Sequence, residues 1–206
     1  IMRALISTTT GGPETLTFGD LPDPVAGSGQ LLIDVHACSI NFPDTLIIED
    51  RYQMRPPRPF APGGEVAGVV AALGDGVTGF AVGDRVIAAS GFGGLAEQAV
   101  VMAANAYHLP DAHSFAEGSA LLMTYGTSIH ALADRGRLAA GETLLVLGAA
   151  GGVGLAAVEL AKAMGARVVG AVSSEEKAAF ATAAGADATA IYPPGAFAKD
   201  QSRALA

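Results

Sequence analysis

Apolar positions along the chain follow two different rhythms. Up to about residue 110 they come in short runs of strand length, at 3–7, 30–35, 65–70, 85–88 and 98–101. Turn signals such as Gly74-Asp75-Gly76 and Val82-Gly83-Asp84 separate them, a grammar that predicts a compact β body. Pro56, Pro57, Pro59 and Pro62 crowd one stretch that can be neither helix interior nor central strand, so it reads as a surface loop. Ser114 with Glu117 three residues on is a capping-box pair ahead of an apolar run. It predicts a helix from 114 to about 135, with a break near Gly126.

Beyond Glu142 the rhythm changes. Residues 143–147 form a continuous apolar run of buried-strand type, followed by glycines and an Ala-rich helix over 152–164 that Gly165 is placed to end. A second buried strand at 167–172, a helix at 174–184 and a short strand at 188–192 complete a β-α-β-α-β pattern, which predicts a doubly wound parallel sheet. The reading is thus a β domain over 1–120, then a connecting helix and an α/β domain over 121–206. Three strands make half of the usual two-half sheet. The 206 residues are therefore expected to belong to a longer protein and to be inactive alone.

Composition narrows the function classes. Half of the residues are hydrophobic and 16% charged, a globular balance. A formal net charge of −8 argues against nucleic acid or an anionic membrane surface as partner. Cys38 is the only cysteine, so neither an internal disulfide nor a multi-cysteine metal site can form. No apolar run approaches the roughly 20 residues of a membrane span, and the expectation is a soluble, cytoplasmic protein.

The candidate chemistry centres on GAAGGVG at 148–154. Read as G-x-G-x-x-G, its slots are Ala149, Gly151 and Gly154, so the first glycine is replaced. Gly151 allows backbone amides to approach a pyrophosphate, and Gly154 allows the helix to pack on the strand. The helix N-terminus adds free N–H groups and partial positive charge, so Ala150, Gly151, Gly152 and Val153 are candidate phosphate-binding residues. At the end of the second strand stands Ser173, where an NAD enzyme would present an acid. Ser173 with Lys177 one turn on suits a 2′-phosphate, and Tyr192 adds a hydroxyl after the third strand, which points to NADPH. Ser173 also fits a capping box with Glu176, and both roles stay open.

Further stretches carry a family resemblance: INFPD (40–44), APGGEVAG (61–68), VGDRV (82–86) and YGTSIHA (125–131), with GAAGGVG last. The chain resembles the medium-chain dehydrogenase/reductase superfamily, and within it the zinc-free, zeta-crystallin-like quinone oxidoreductase branch. The resemblance implies an N-terminal GroES-like β domain followed by a truncated Rossmann domain, and a homodimer when full length. It implies hydride transfer from NADPH to a small quinone or α,β-unsaturated carbonyl compound. Asn41, Tyr52 and Thr127 would line the nicotinamide end as catalytic residues, with Asn41 and Thr127 also touching the cofactor. Asn41 would meet either the nicotinamide ribose or the substrate oxygen, and is otherwise a helix N-cap.

Departures from the family pattern bear on metal. Zinc-dependent relatives have Cys where this chain has Asn41, and Gly-His-Glu where it has Gly63-Gly64-Glu65. His36, His108, His113 and His130 show no ligand spacing, so no metal is expected. The alternatives are an enoyl or acryloyl thioester reductase, for which Arg51, Arg55 and Arg58 are the residues to watch, and a non-catalytic NADPH-binding protein.

Overall fold

A computed structural model describes residues 1–192, and the chain divides into two compact units, Ile1–Met123 and the part from Thr124 onward. In the first, β1 (Met2–Ile6) and β2 (Thr17–Leu21) form an antiparallel hairpin. β3 (Gln30–Ser39), β4 (Glu65–Leu73), β5 (Arg85–Ala89), β6 (Gln98–Met102) and β7 (Ala106–His108) form an antiparallel sheet in the order β6-β3-β4-β5-β7. Leu31, Ile33, Val66, Val70, Val86, Ala88, Val101 and Ala106 pack together as its core. Alternation along β3 and β6 sends these side chains to one face, as period-2 patterning requires.

All five expected strands are present, and two differences have local causes. β2 is largely exposed and contains Gly19 and Asp20, and β7 spans only three residues, so neither carries an apolar rhythm. β3 runs on to Ser39 because its register with β4 shifts between Val35 and Ala37, a bulge that hides the alternation at His36. α1 (Phe42–Ile48) begins after Asn41, with Pro43 in its first turn where a missing N–H costs nothing.

The predicted helix at 114–135 is broken earlier than Gly126. Ser114 and Glu117 do form their reciprocal cap, but α2 (Phe115–Ser119) ends after five residues. The Leu122 and Met123 N–H groups then donate to the Glu65 carboxylate rather than to the helix backbone. Further on, α3 (Thr127–Ile129) is flanked by wider π-type turns at Leu122–Gly126 and His130–Arg135.

The second unit is a three-stranded parallel sheet in the order β10-β9-β8. β8 (Thr143–Leu147) leads into α4 (Gly152–Ala163), β9 (Arg167–Val172) into α5 (Glu175–Ala183), and β10 (Ala188–Ile191) follows. Val146, Val158, Ala161, Val168, Val172, Ala178 and Ala181 form its core. Small alanines let both helices lie close to the strands. The part of the sequence reading that falls after residue 192 lies outside the described residues.

Gly68 on β4 marks the closest strand approach. A Cβ there would run into the Asp34 carbonyl oxygen and sit 2.8 Å from Ile33 Cγ2. Gly68→Ala should therefore lower stability by about 2 kcal/mol or more, as overpacking against backbone does. Thermal unfolding against Gly76→Ala, where the space is open, separates this clash from simple backbone strain.

Candidate functional site

The phosphate-binding turn is built as a strand-to-helix reversal. Gly148 takes the left-handed conformation at φ +66°, so the residue that needs glycine freedom stands one place before the slot held by Ala149. Ala149 is fully buried and its N–H donates to Ala171 O at 3.2 Å, which explains why an alanine is accepted there. A Cβ at Gly154 would meet the Gly148 carbonyl oxygen and lie 2.9 Å from Ala149 Cα, so Gly154 is what lets α4 close on β8. At Gly151 the nearest atom to an added Cβ is 3.5 Å away. That position is open toward the space in front of the helix.

Gly151 is the N-cap of α4, and the first helical bond runs from Leu155 N–H to Gly151 O at 2.8 Å. The N–H groups of Gly152, Val153 and Gly154 therefore precede the hydrogen-bonded ladder and point out of the helix end. A hollow of about 280 Å³ opens beside this turn, lined by Gly148, Ala150, Gly151, Val172, Ser173, Lys177 and Tyr192. Five of the residues singled out in the sequence thus share one recess. Lys177 Nζ lies 3.0 Å from Ser173 Oγ. The cap of α5 is Ser174, whose hydroxyl accepts from Lys177 N–H at 3.3 Å. This corrects the capping alternative for Ser173, whose hydroxyl faces Lys177 instead.

Thr127 lies exposed at the start of α3 in the same unit. Three contacts that sequence reasoning missed fix its segment against α4. Ser128, 2% exposed, donates to Val153 O at 2.8 Å, the Tyr125 hydroxyl donates to the Glu159 carboxylate, and Thr124 Cγ2 would touch a Cβ at Gly152 at 3.1 Å. The hydrogen bond to Glu159 raises the Tyr125 pKa, with burial adding to it. The polar residues in YGTSIHA were the available signal.

Asn41 and Tyr52 belong to the first unit. Asn41 heads α1, where the Asp44 carboxylate accepts its backbone N–H at 2.7 Å and that of Gly63 at 3.1 Å. Burial raises the Asp44 pKa, opposed by these backbone donors, so Asp44 orients the loop ends around it. The Asn41 amide donates to Ser39 Oγ at 2.9 Å and to Glu65 Oε2 at 3.3 Å. Glu65 is 1% exposed, and it also accepts from Ser39 Oγ at 3.0 Å and from the N–H groups of Leu122 and Met123. Gly64 is enclosed: a Cβ there would meet Gly91 O at 3.1 Å and Asp44 Oδ1 at 3.7 Å. Tyr52 packs partly buried against Ile47, Ile48 and Phe60, and shares no hydrogen bond with Asn41. A larger hollow of about 590 Å³ in this unit, between Phe60, Phe92 and Met102, contains neither residue.

The arginines of the Pro-rich loop do not act together. Arg58 is held inside by Asp50, Ser7 Oγ and Ile48 O, and Arg51 pairs with Glu49. The histidines are dispersed: His36 stacks on Phe115, His108 stacks on Phe80, and His130 pairs with Asp134. Among the described residues no helix is long and apolar enough to cross a membrane.

Known proteins resemble the chain in sequence and in overall fold. Residues 27–111 match the alcohol dehydrogenase GroES-like domain family, and residues 152–203 match the zinc-binding dehydrogenase family. The chain belongs to the medium-chain dehydrogenase/reductase superfamily. Within this superfamily it is 43% identical to the quinone oxidoreductase of Rattus norvegicus over 178 residues, covering 85% of this chain and 54% of that protein. The quinone oxidoreductase of Pseudomonas syringae pv. Tomato DC3000 superposes with a TM-score of 0.88 at 37% identity, over all of this chain and 63% of that one. The quinone oxidoreductase of Thermus thermophilus, solved also in complex with NADPH, gives a TM-score of 0.81 at 38% identity, covering 93% and 60%. The chain therefore spans about half the length of the curated relatives it matches.

Cys38 lies in the same neighbourhood as Asn41, with its sulfur in contact distance of any Cβ added at Gly63 or Gly94. Burial pushes its thiol up to about 12, and the Asp44 charge adds to the rise. At pH 8 only about one thiol in 10,000 is ionised, against about a quarter for a free cysteine. Iodoacetamide should label the native protein at least about tenfold more slowly than the denatured chain, accelerating about tenfold per pH unit up to pH 10. Rapid labelling at pH 8, read by mass spectrometry, would contradict the raised thiol pKa.

Proposed function

We propose that the chain forms part of an NADPH-dependent oxidoreductase that reduces a quinone or an α,β-unsaturated carbonyl compound without zinc. One observation carries this reading: the recess beside the glycine turn holds Ser173, Lys177 and Tyr192, and among the described residues no carboxylate lines it. A carboxylate at the end of β9 would accept ribose hydroxyls and repel a phosphate, whereas an ammonium and two hydroxyls favour one. The chain's own atoms fit the cofactor. The Gly152 and Val153 N–H groups would hold pyrophosphate oxygens, Ala150 and Gly151 would leave space for them, and Lys177 with Ser173 would hold the 2′-phosphate. The T. thermophilus relative, solved with NADPH, supports the same choice.

NADPH supplies a hydride from its reduced nicotinamide. The remaining roles fall to Thr127, which offers an exposed hydroxyl to the nicotinamide end, and to Asn41 and Tyr52. Tyr52 would donate a hydrogen bond to the oxygen that gains charge, a modest electrostatic aid that the family resemblance implies. Zinc independence is supported by donor chemistry. An amide NH₂ at Asn41 gives no lone pair to a metal, Gly64 has no side chain, and the Glu65 oxygens are already surrounded by N–H and O–H donors. The thioester alternative loses one of its three arginines, since Arg58 is engaged by Asp50, Ser7 and Ile48, while Arg51 stays exposed beside Glu49.

Titration of the full-length protein, followed by nicotinamide fluorescence, tests the assignment. NADPH should bind at least about tenfold tighter than NADH, and Lys177→Ala should lose most of that margin with little effect on NADH. Ser173→Asp should reverse the preference. Equal affinity for the two nucleotides in the unaltered protein, or no affinity for either, refutes the proposal, and NADPH oxidation with 1,4-benzoquinone against a crotonyl thioester separates the acceptor classes.

A further inference from the structure

Gly170 stands where the alternation of β9 calls for a bulky apolar side chain. Val168, Gly170 and Val172 share one face of the strand, and the two valines, 0% and 1% exposed, pack into the core of this unit. The backbone does not require a glycine there. Gly170 lies inside the ladder, opposite Val146 of β8 and Thr189 of β10, and does not take the left-handed conformation. A glycine inside a strand weakens it, and often marks a place where another segment comes close. Two segments do so here. A Cβ at Gly170 would stand 3.1 Å from Ala149 Cβ on the glycine turn and 3.2 Å from Ala181 Cβ on α5. Ala186 Cβ, at 3.6 Å, would be in ordinary contact.

Neither alanine can turn aside, since an alanine has no rotamer to change. Relief would need the backbone to move. The strand is paired on both sides, so the movement would fall on the turn and on α5. The turn carries Gly148, Ala150 and Gly151 of the recess, and α5 carries Lys177 one turn before Ala181. Both walls of the hollow therefore lean on one notch in the strand. We infer that Gly170 is a positioning residue for the cofactor: its missing side chain sets the distance between the groups that hold the pyrophosphate and those that hold the 2′-phosphate. The inference rests on the NADPH reading given above, and it adds a residue that does not itself line the hollow.

Titration of the full-length protein with NADPH and with NADH tests it, using variants that separate the two contacts. Gly170→Ala should weaken both nucleotides by displacing the turn. By displacing Lys177 it should also cut the preference for NADPH from at least about tenfold to about threefold or less. Adding Ala181→Gly relieves α5 and should restore the preference while NADH stays weak. Adding Ala149→Gly instead relieves the turn and should restore NADH binding while the preference stays low. Ala181→Gly alone, which loosens the helix without filling the notch, should keep the full preference. If Gly170→Ala does not fold, the two double variants, each with one close contact fewer, should still differ in preference from each other. A lower melting temperature with the preference unchanged gives Gly170 a packing role only and overturns the inference, as does an equal preference in the two double variants. Both of those outcomes leave the NADPH reading standing. An unaltered protein that does not prefer NADPH overturns the two together.

Discussion

A carboxylate sealed from water is tolerated only where donors converge on it, and in the first unit the donors that converge on Glu65 come from three separate places. Ser39 ends β3, Asn41 starts α1, and Leu122 and Met123 follow α2. Glu65 itself opens β4. Removing one of these neutral donors weakens the satisfaction of a buried acceptor, a penalty on the order of 1–3 kcal/mol. That penalty holds loop ends of different parentage in one arrangement. It also explains why the helix expected at 114–135 breaks where it does: two of its amides have a stronger acceptor outside it.

In the second unit the governing constraint is space rather than charge. Gly154 admits the helix to the strand, Gly148 makes the reversal, and Gly151 keeps the approach clear. The whole chain carries a formal charge of −8, so the long-range field opposes an anionic ligand. Attraction must come from close range, where unpaired amides at a helix end and a single lysine act within a few ångströms and salt screens the remainder.

Both units were legible in the sequence to different depths. Long apolar runs and glycine punctuation marked every buried strand, and the spacing of Ser173 and Lys177 on either side of a helix start marked the recess. The cap of α5 was misplaced by one residue because two adjacent serines are equivalent in a string and differ only once the backbone turns. β2 and β7 were invisible since exposed or three-residue strands carry no apolar rhythm. The ring of Ser39, Asn41 and Glu65 was also invisible. Asn41 and Glu65 lie 24 residues apart, and hydrogen-bond direction is a property of assembled atoms. Tyr52 and Thr127 enter as candidates by resemblance alone, and neither has a local signal that would have singled it out.

The tight enclosure of Gly64 has a consequence for anyone wishing to build a His and Cys metal site at positions 64 and 41 of this scaffold. An imidazole at that position would push against the Gly91 carbonyl and the Asp44 carboxylate, and a thiol at 41 would leave Ser39 and Glu65 without the donor that orders them. The change from an amide site to a metal site is therefore not a two-letter edit. It needs the Gly91 turn to shift and the hydrogen-bond ring to be rewired together, so intermediates along that path would be unstable before they gained any affinity for a cation.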